Sequence, residues 1–412
     1  MAEPTPAGRF SAPPLDHQIM KLDPFQQQSI DLINQGFSVL VSAPTGAGKT
    51  VIAEHVIRDC LARGLKVIYT APIKALSNQK YRDFCDGYPD LVGIMTGDIT
   101  INPHASVLIM TTEIFRNKIL EDRKSLDKYA WAIFDEIHYL DDFERGSVWE
   151  ESLIFFPEHM KLLGLSATIP NIEELRLWLE SIHNKPFKVV KESKRPVPLH
   201  FFFQCQDRVY KSLEDLTKYG FTSPRSPRYR GDRLPDFIKT HPNPPAHLIQ
   251  NMKDKNLLPA IFFAFSRRRT EELASEAMIA SFLTPDQESQ ILDLFDVLCA
   301  KFDLRDEPRA EEMRPLIQRG IAYHHAGMLP TLKEVIERLF TSRLLKVIFT
   351  TETFALGINM PARSVVFDEL RKYYGRSRFD VLRTRDFYQM AGRAGRRGID
   401  HEGFVFLRVN PH

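Results

Sequence analysis

The chain has 412 residues, of which 43% are hydrophobic, 26% charged and 11% aromatic, a composition that fills cores and excludes collagen-like, mucin-like and highly charged disordered chains. At about 100 to 200 residues per domain, the length predicts two or three domains. Lys and Arg total 55 against 53 Asp and Glu, a net charge of +2, so bulk charge supplies no attraction to phosphate and any nucleic-acid surface must be local.

No window reaches roughly 18 consecutive apolar residues, and residues 1–15 are rich in Pro and small residues without an apolar stretch. Neither membrane contact nor export is expected. Cys60, Cys85, Cys205 and Cys299 are too widely spaced for a zinc ribbon or a local iron-sulfur ligand set, which predicts reduced, structural thiols in an intracellular, soluble protein. A cytoplasmic location is favoured, with nuclear and organellar ones left open.

Residues 1–20 read as a flexible N-terminal segment. Across 21–192, β-rich runs at 38–43, 66–70, 106–111, 130–135 and 162–166 alternate with helical patterns such as 51–62 and 173–181, which predicts a parallel sheet covered by helices. A second series fills 193–412, with runs at 198–204, 260–265, 320–324, 345–350, 364–367 and 403–408 and helices at 269–279 and 332–341. The predicted fold is therefore α/β, two tandem units of similar pattern without a clear repeated sequence. Residues 223–245, rich in Arg and Pro, read as an exposed loop, or an RNA contact. Residues 283–317 read as a helical insertion packed on the surface.

Residues Ala43, Pro44, Thr45, Gly46, Ala47, Gly48, Lys49 and Thr50 lie between an apolar run and an apolar-periodic helix, the context of a phosphate-binding loop. Gly46 and Gly48 permit close backbone approach, and the helix N-terminus offers unpaired N–H groups. Lys49 is expected to neutralise the β and γ phosphates of ATP and Thr50 to ligate Mg2+. Ala43 stands where the strict motif has Gly. At 135–138 an apolar strand ends in Asp135 and Glu136, which strand alternation should send in different directions, leaving Asp135 to hold Mg2+ and Glu136 to act as general base. His138 lacks a second ligand at metal spacing. It is expected either to couple the nucleotide to Ser166 and Thr168 or to the neighbouring domain, or to be a satisfied structural histidine.

Taken in order, Gln26, A-P-T-G-A-G-K-T (43–50), P-I-K-A-L-S-N-Q-K-Y (72–81), T-G-D (96–98), T-T-E (111–113), D-E-I-H (135–138), S-A-T (166–168) and Q-M-A-G-R-A-G-R-R-G (389–398) resemble a superfamily-2 DExH helicase. Within it, T-G-D-I-T-I-N-P (96–103), H-H-A-G-M-L-P (324–330) and T-E-T-F-A-L-G-I-N-M-P-A-R (351–363) resemble the superkiller-type RNA helicases that feed RNA to exosome-like nucleases. The resemblance implies two RecA-like domains with ATP and RNA bound across the cleft between them. It assigns Gln26 to the adenine edge, Gly357 to the nucleotide, Gln389 to water or phosphate, and Arg393 and Arg396 to finger arginines, whose positive charge would stabilise the phosphoryl transition state. For RNA it names Pro72, Lys74, Gly97, Thr111 and Thr112 in the first domain and His325, Thr350 and Thr351 in the second, a set suited to backbone tracking without base readout.

At 369–380 two short strands around Gly375 resemble the family's duplex-splitting hairpin, with Tyr373, Tyr374 and Phe379 either a stacking wedge or an ordinary aromatic pair. The family continues into a winged helix and a ratchet bundle, whereas this sequence ends at His412; an excised core or a minimal member is expected. The functional expectation is an ATP-dependent RNA helicase moving 3′-to-5′ on single-stranded or 3′-tailed RNA and unwinding duplex, with an exoribonuclease or exosome-like complex as partner. A DNA helicase of the related repair class and an ATP-gated clamp without processive unwinding are the alternatives.

Overall fold

The structure, a computed structural model, describes residues 22–142, 145–205, 208–220, 243–352, 354, 360–373 and 379–409. The N-terminal segment expected at 1–20, most of the loop expected at 223–245, Gly357, Tyr374 and Gly375 lie outside the described residues. The chain divides into two compact units, Met1–Lys194 and Arg195–His412.

The first unit holds strands β1 (Ser38–Ser42), β2 (Lys66–Ala71), β3 (Val92–Met95), β4 (Thr100–Ile101), β5 (Val107–Thr111), β6 (Tyr129–Phe134), β7 (Lys161–Ser166) and β8 (Phe187–Lys191). They form one eight-stranded sheet in the order β4-β3-β5-β2-β6-β7-β1-β8. Every pairing is parallel except β3 with the edge strand β4. β1, β2 and β5 are near-continuous apolar runs because helices cover both faces of a parallel sheet; each is buried along almost its whole length. One apolar cluster joins Val39 and Val41 to Ile52 and Val56 of the helix Thr50–Ala62 and to Ile133 and Leu163 of neighbouring strands.

The second unit holds β9 (Leu199–Cys205), β10 (Arg208–Tyr210), β11 (Ala260–Phe263), β12 (Ile321–His324), β13 (Val347–Thr350), β14 (Ser364–Phe367) and β17 (Gly403–Arg408), in a seven-stranded sheet of order β10-β9-β17-β14-β11-β13-β12. Only β10 runs antiparallel to its neighbour. A separate hairpin pairs β15 (Arg371–Tyr373) with β16 (Phe379–Val381). This is the α/β architecture expected from the alternation of runs and helices.

The stretch 283–317 departs from the expected surface insertion. Its helices Pro285–Lys301 and Pro308–Gln318 bury Ile291, Phe295, Met313 and Ile317 in the unit's main core. Mixed charge along the sequence concealed an apolar face that makes these helices part of the domain. Among the described residues, no helix is long and apolar enough to cross a membrane.

Candidate active site

Parallel α/β sheets collect ligands at the carboxyl ends of their strands, and in the first unit β6, β7 and β1 are consecutive neighbours there. β1 leads into the loop 43–50, which turns where Gly46 and Gly48 take φ of 82° and 85°, left-handed values that glycine adopts without penalty. Helix begins again at Thr50. Ala43 and Ala47 are buried, while Pro44, Thr45, Gly48, Lys49 and Thr50 are partly exposed. Lys49 Nζ donates to the carbonyls of Ala43 at 2.9 Å and Pro44 at 3.3 Å.

Gln26 is buried and both ends of its amide are engaged. Oε1 accepts the Asp23 N–H at 2.9 Å, and Nε2 donates to the Gly48 carbonyl at 2.9 Å. The side chain thus ties the start of the helix Pro24–Asn34 to the phosphate loop.

β6 ends at Phe134, one residue before the carboxylates. Glu136 takes φ 54° and ψ 46°, opening the short turn Ile137–Asp141. Asp135 is therefore followed by a left-handed residue, Glu136, outside the strand, which corrects the expectation that strand alternation governs the pair. A non-glycine residue there carries about 1 kcal/mol or more of backbone strain, which gathers at functional sites.

Both oxygens of Asp135 accept hydrogen bonds: Oδ1 from the Glu136 N–H at 3.0 Å and Oδ2 from the buried Tyr69 hydroxyl at 2.5 Å. Burial pushes the Asp135 carboxyl above its usual range and Glu136 pushes the same way, opposed by the buried Lys80, the Tyr69 hydrogen bond and Lys49. Burial first, then the Asp135 charge, holds the Tyr69 phenol far above its ordinary value, so it remains a donor. The hydroxyl of Thr50 and the carboxylate of Asp135 are hard oxygen donors, the type Mg2+ selects. Among the described residues no cluster of three or more His, Cys, Asp or Glu could form a metal cage.

His138 is buried, with Nδ1 at 3.4 Å from both the Ala167 N–H and Glu136 Oε2. An unprotonated Nδ1 accepts from Ala167; a protonated one donates to Glu136 instead. The contact with the 166–168 segment thus runs through the Ala167 backbone, between the expected Ser166, which is buried, and Thr168, which is exposed.

In the second unit Gln389 is buried in the helix Thr384–Ala391. Arg393 follows, its carbonyl accepting from the Ala362 N–H at 2.9 Å. Gly395 takes φ 80°, and a Cβ there would lie 2.5 Å from Val197 Cγ1, so only glycine fits between the arginines. Arg396 is paired with Asp400, its Nε 2.6 Å from Oδ2. Arg195 reaches back across the same loop, its guanidinium donating to the carbonyls of Val197, Gly392 and Ala394.

Known families match both halves of this pattern. Residues 23–175 match the DEAD/DEAH box helicase family and residues 260–398 the helicase conserved C-terminal domain. The chain is 41% identical over 403 residues to "Exosome RNA helicase MTR4" of Mus musculus, covering 94% of this chain and 39% of that protein. It is 40% identical over 421 residues to "ATP-dependent RNA helicase mtr4" of Schizosaccharomyces pombe, covering 97% and 38%. It is also 40% identical over 408 residues to "Superkiller complex protein 2" of Homo sapiens, covering 93% and 33%. The chain belongs to the superkiller-type DExH helicases. It spans less than half the length of these relatives.

The positions expected to follow RNA differ in exposure. Lys74 and Gly97 are exposed, and Lys74 Nζ lies 2.5 Å from Asp98. Pro72, Thr111, Thr112, His325, Thr350 and Thr351 are buried. Thr350 Oγ1 donates to the His324 carbonyl at 2.8 Å, and Thr112 Oγ1 to that of Ala71 at 3.4 Å. His325 engages Glu271 through Nε2 at 2.9 Å and the Gly327 N–H through Nδ1 at 3.2 Å. The side chains of Thr112, Thr350 and His325 are thus bonded within the fold, where they shape the strand ends. In the hairpin, Tyr373 and Phe379 are exposed with ring centroids 5.5 Å apart.

Sequence reading missed four residues beside the candidate ones, Tyr69 and Lys80 in the first unit and Arg195 and Asp400 in the second. Tyr69 carried a signal, since a phenol hydroxyl inside a buried strand needs a partner. Asp400, four residues after Arg396, carried another. Lys80 and Arg195 carried none beyond their charge.

Proposed function

We propose that this chain is an ATP-dependent RNA helicase motor, coupling ATP hydrolysis to 3′-to-5′ movement on single-stranded RNA and to opening of 3′-tailed duplexes. The observation that carries the reading is the placing of the 43–50 loop and of Asp135 and Glu136 after β1 and β6, two strands of one parallel sheet with β7 between them, in a chain 40% identical over 421 residues to an ATP-dependent RNA helicase.

In this reading the loop N–H groups and Lys49 cradle the β and γ phosphates, and Lys49 exchanges the Ala43 and Pro44 carbonyls for phosphate oxygens. Thr50 and Asp135 hold Mg2+, which when bound supplies positive charge against the phosphate oxygens. Glu136, whose Oε2 lies 3.4 Å from His138 Nδ1, accepts a proton from the attacking water. Arg393 and Arg396 donate hydrogen bonds to the phosphoryl transition state, and Gln389 orients water or phosphate. His138 passes the state of Glu136 to the 166–168 segment through the Ala167 N–H.

On the RNA side, exposed Lys74 and Gly97 and the backbone at the buried hydroxyl positions follow the sugar-phosphate chain without reading bases. The names of the relatives support a role in RNA processing or decay beside an exosome-like nuclease. The test is strand displacement on matched RNA duplexes with 3′ or 5′ tails. ATP-dependent opening of the 3′-tailed duplex alone is expected; opening of the 5′-tailed duplex alone would refute the polarity.

A further inference from the structure

Arg396 meets the carboxylate of Asp400 at three points. Oδ2 accepts both the Arg396 backbone N–H at 2.9 Å and Nε at 2.6 Å, while Oδ1 accepts from Nη2 at 2.7 Å. The return bond, Asp400 N–H to the Arg396 carbonyl at 2.8 Å, closes the turn. Gly395 and Gly398, with φ of 80° and 78°, flank Arg396 and allow that turn. The Asp400 side chain is 3% exposed and that of Arg396 14%. This is a largely desolvated pair, in which charge-assisted, bidentate bonds fix direction as well as distance.

The chemistry of the pair is asymmetric. Asp400 takes the Nε edge of the guanidinium, and Nη1 takes no part in the pair. Arginine has more N–H donors than one carboxylate uses, so the Nη1 end keeps donors for a phosphoryl oxygen. An unrestrained arginine would have to be ordered at each catalytic cycle, whereas this one is ordered beforehand, and preorganised donors are the ones that lower a barrier. Asp400 also cancels much of the local charge, so what the pair delivers is directed hydrogen bonds more than net positive potential.

We propose that Asp400 is a positioning residue for ATP hydrolysis, fixing Arg396 in the rotamer that meets the transferring phosphate without itself touching nucleotide. The proposal rests on Arg396 acting as a finger arginine, as argued under the proposed function. Asp400→Asn keeps the volume but replaces one acceptor oxygen with a donor, so it cannot hold both Nε and Nη2.

The test is a double-mutant cycle on the full chain, measuring kcat and KM for RNA-stimulated ATP hydrolysis in Asp400→Asn, Arg396→Ala and the double variant, with a thermal midpoint for each. Asp400→Asn is expected to lower kcat about tenfold with KM for ATP within about twofold, the mark of an interaction realised in the transition state. In the Arg396→Ala background it is expected to have no further effect, because residues acting through one another are not additive. An equal loss in both backgrounds would overturn the proposal by showing a general structural role. Unchanged kcat in Asp400→Asn beside an impaired Arg396→Ala would overturn it while leaving the finger arginine intact. Unchanged kcat in Arg396→Ala would overturn the finger assignment and the proposal together. Should Asp400→Asn fail to fold, Asp400→Glu, too long to meet Nε and the backbone N–H at once, takes its place in the same cycle under the same criteria.

Discussion

The Tyr69 hydroxyl donates to Oδ2 of Asp135 at 2.5 Å, from a strand adjacent to the one that ends beside the carboxylate. Together with the Glu136 N–H on Oδ1, it fixes the plane of the group proposed to hold Mg2+. Ligands held by such outer partners bind metal more tightly than free ones.

Tyr69→Phe removes one hydrogen bond and leaves the ring packed against Phe84. The expected loss is about 1 kcal/mol, or roughly fivefold, in Mg2+-dependent binding of a fluorescent ATP analogue. Binding in excess chelator should stay unchanged. A Mg2+ titration identical to that of the parent chain would remove Tyr69 from the metal site.

Glu136→Gln keeps the shape of the side chain and its left-handed backbone but cannot accept a proton. Single-turnover hydrolysis is expected to fall by about 100-fold or more, while ATP binding persists. Hydrolysis at the parent rate would require another base.

Arg195 bridges the carbonyls of Gly392 and Ala394 on either side of Arg393, and burial lowers its pKa to about 10. Lysine keeps the charge but not the planar fork. Arg195→Lys is therefore expected to lower unfolding stability by about 1 to 3 kcal/mol, the cost of unmet buried carbonyls, and to lower kcat with it. Denaturant unfolding and steady-state ATPase check the two effects; a stable variant with full kcat would show that the bridge is dispensable.

His324 gives a pH dependence of known sign. Burial lowers its pKa, and the charges of Lys333 and His325 act in the same direction, against the hydrogen bond and charge of Glu337. Nδ1 has no hydrogen-bond partner among the described residues, so a proton there would be buried unpaired. The folded chain thus resists a proton that the unfolded chain accepts near pH ~6.5, and stability contributed by His324 is lost as pH falls through that value. Melting midpoints of His324→Gln and the parent should diverge between about pH 7.5 and pH 5.5, with the parent losing more; parallel curves would exclude His324 as the source.

Much of this arrangement was legible in the sequence because its physics is local. A glycine-rich turn between strand and helix, or an apolar strand ending in acids, declares itself within ten or so residues. The strands β3 and β8 were harder: β3 is short and carries Gly93, and β8 carries Lys188 and Lys191, so neither stands out as a buried run. The turn at Glu136 was not legible, since nothing in the sequence marks Glu136 as left-handed. Partners distant in sequence, such as Arg195 with Gly392 and Tyr69 with Asp135, exist only once the sheets bring their strands together. Exposure was equally illegible: the resemblance names Thr350 and His325 for RNA tracking, yet the fold buries both against partners supplied by neighbouring elements.

The central claim, a motor driven by RNA, is tested most directly by ATP hydrolysis measured with length- and sequence-matched single-stranded RNA and DNA. Stimulation by RNA well above that by DNA is expected, and it should vanish in Glu136→Gln. Equal stimulation by the two, or stronger stimulation by DNA, would contradict the RNA motor.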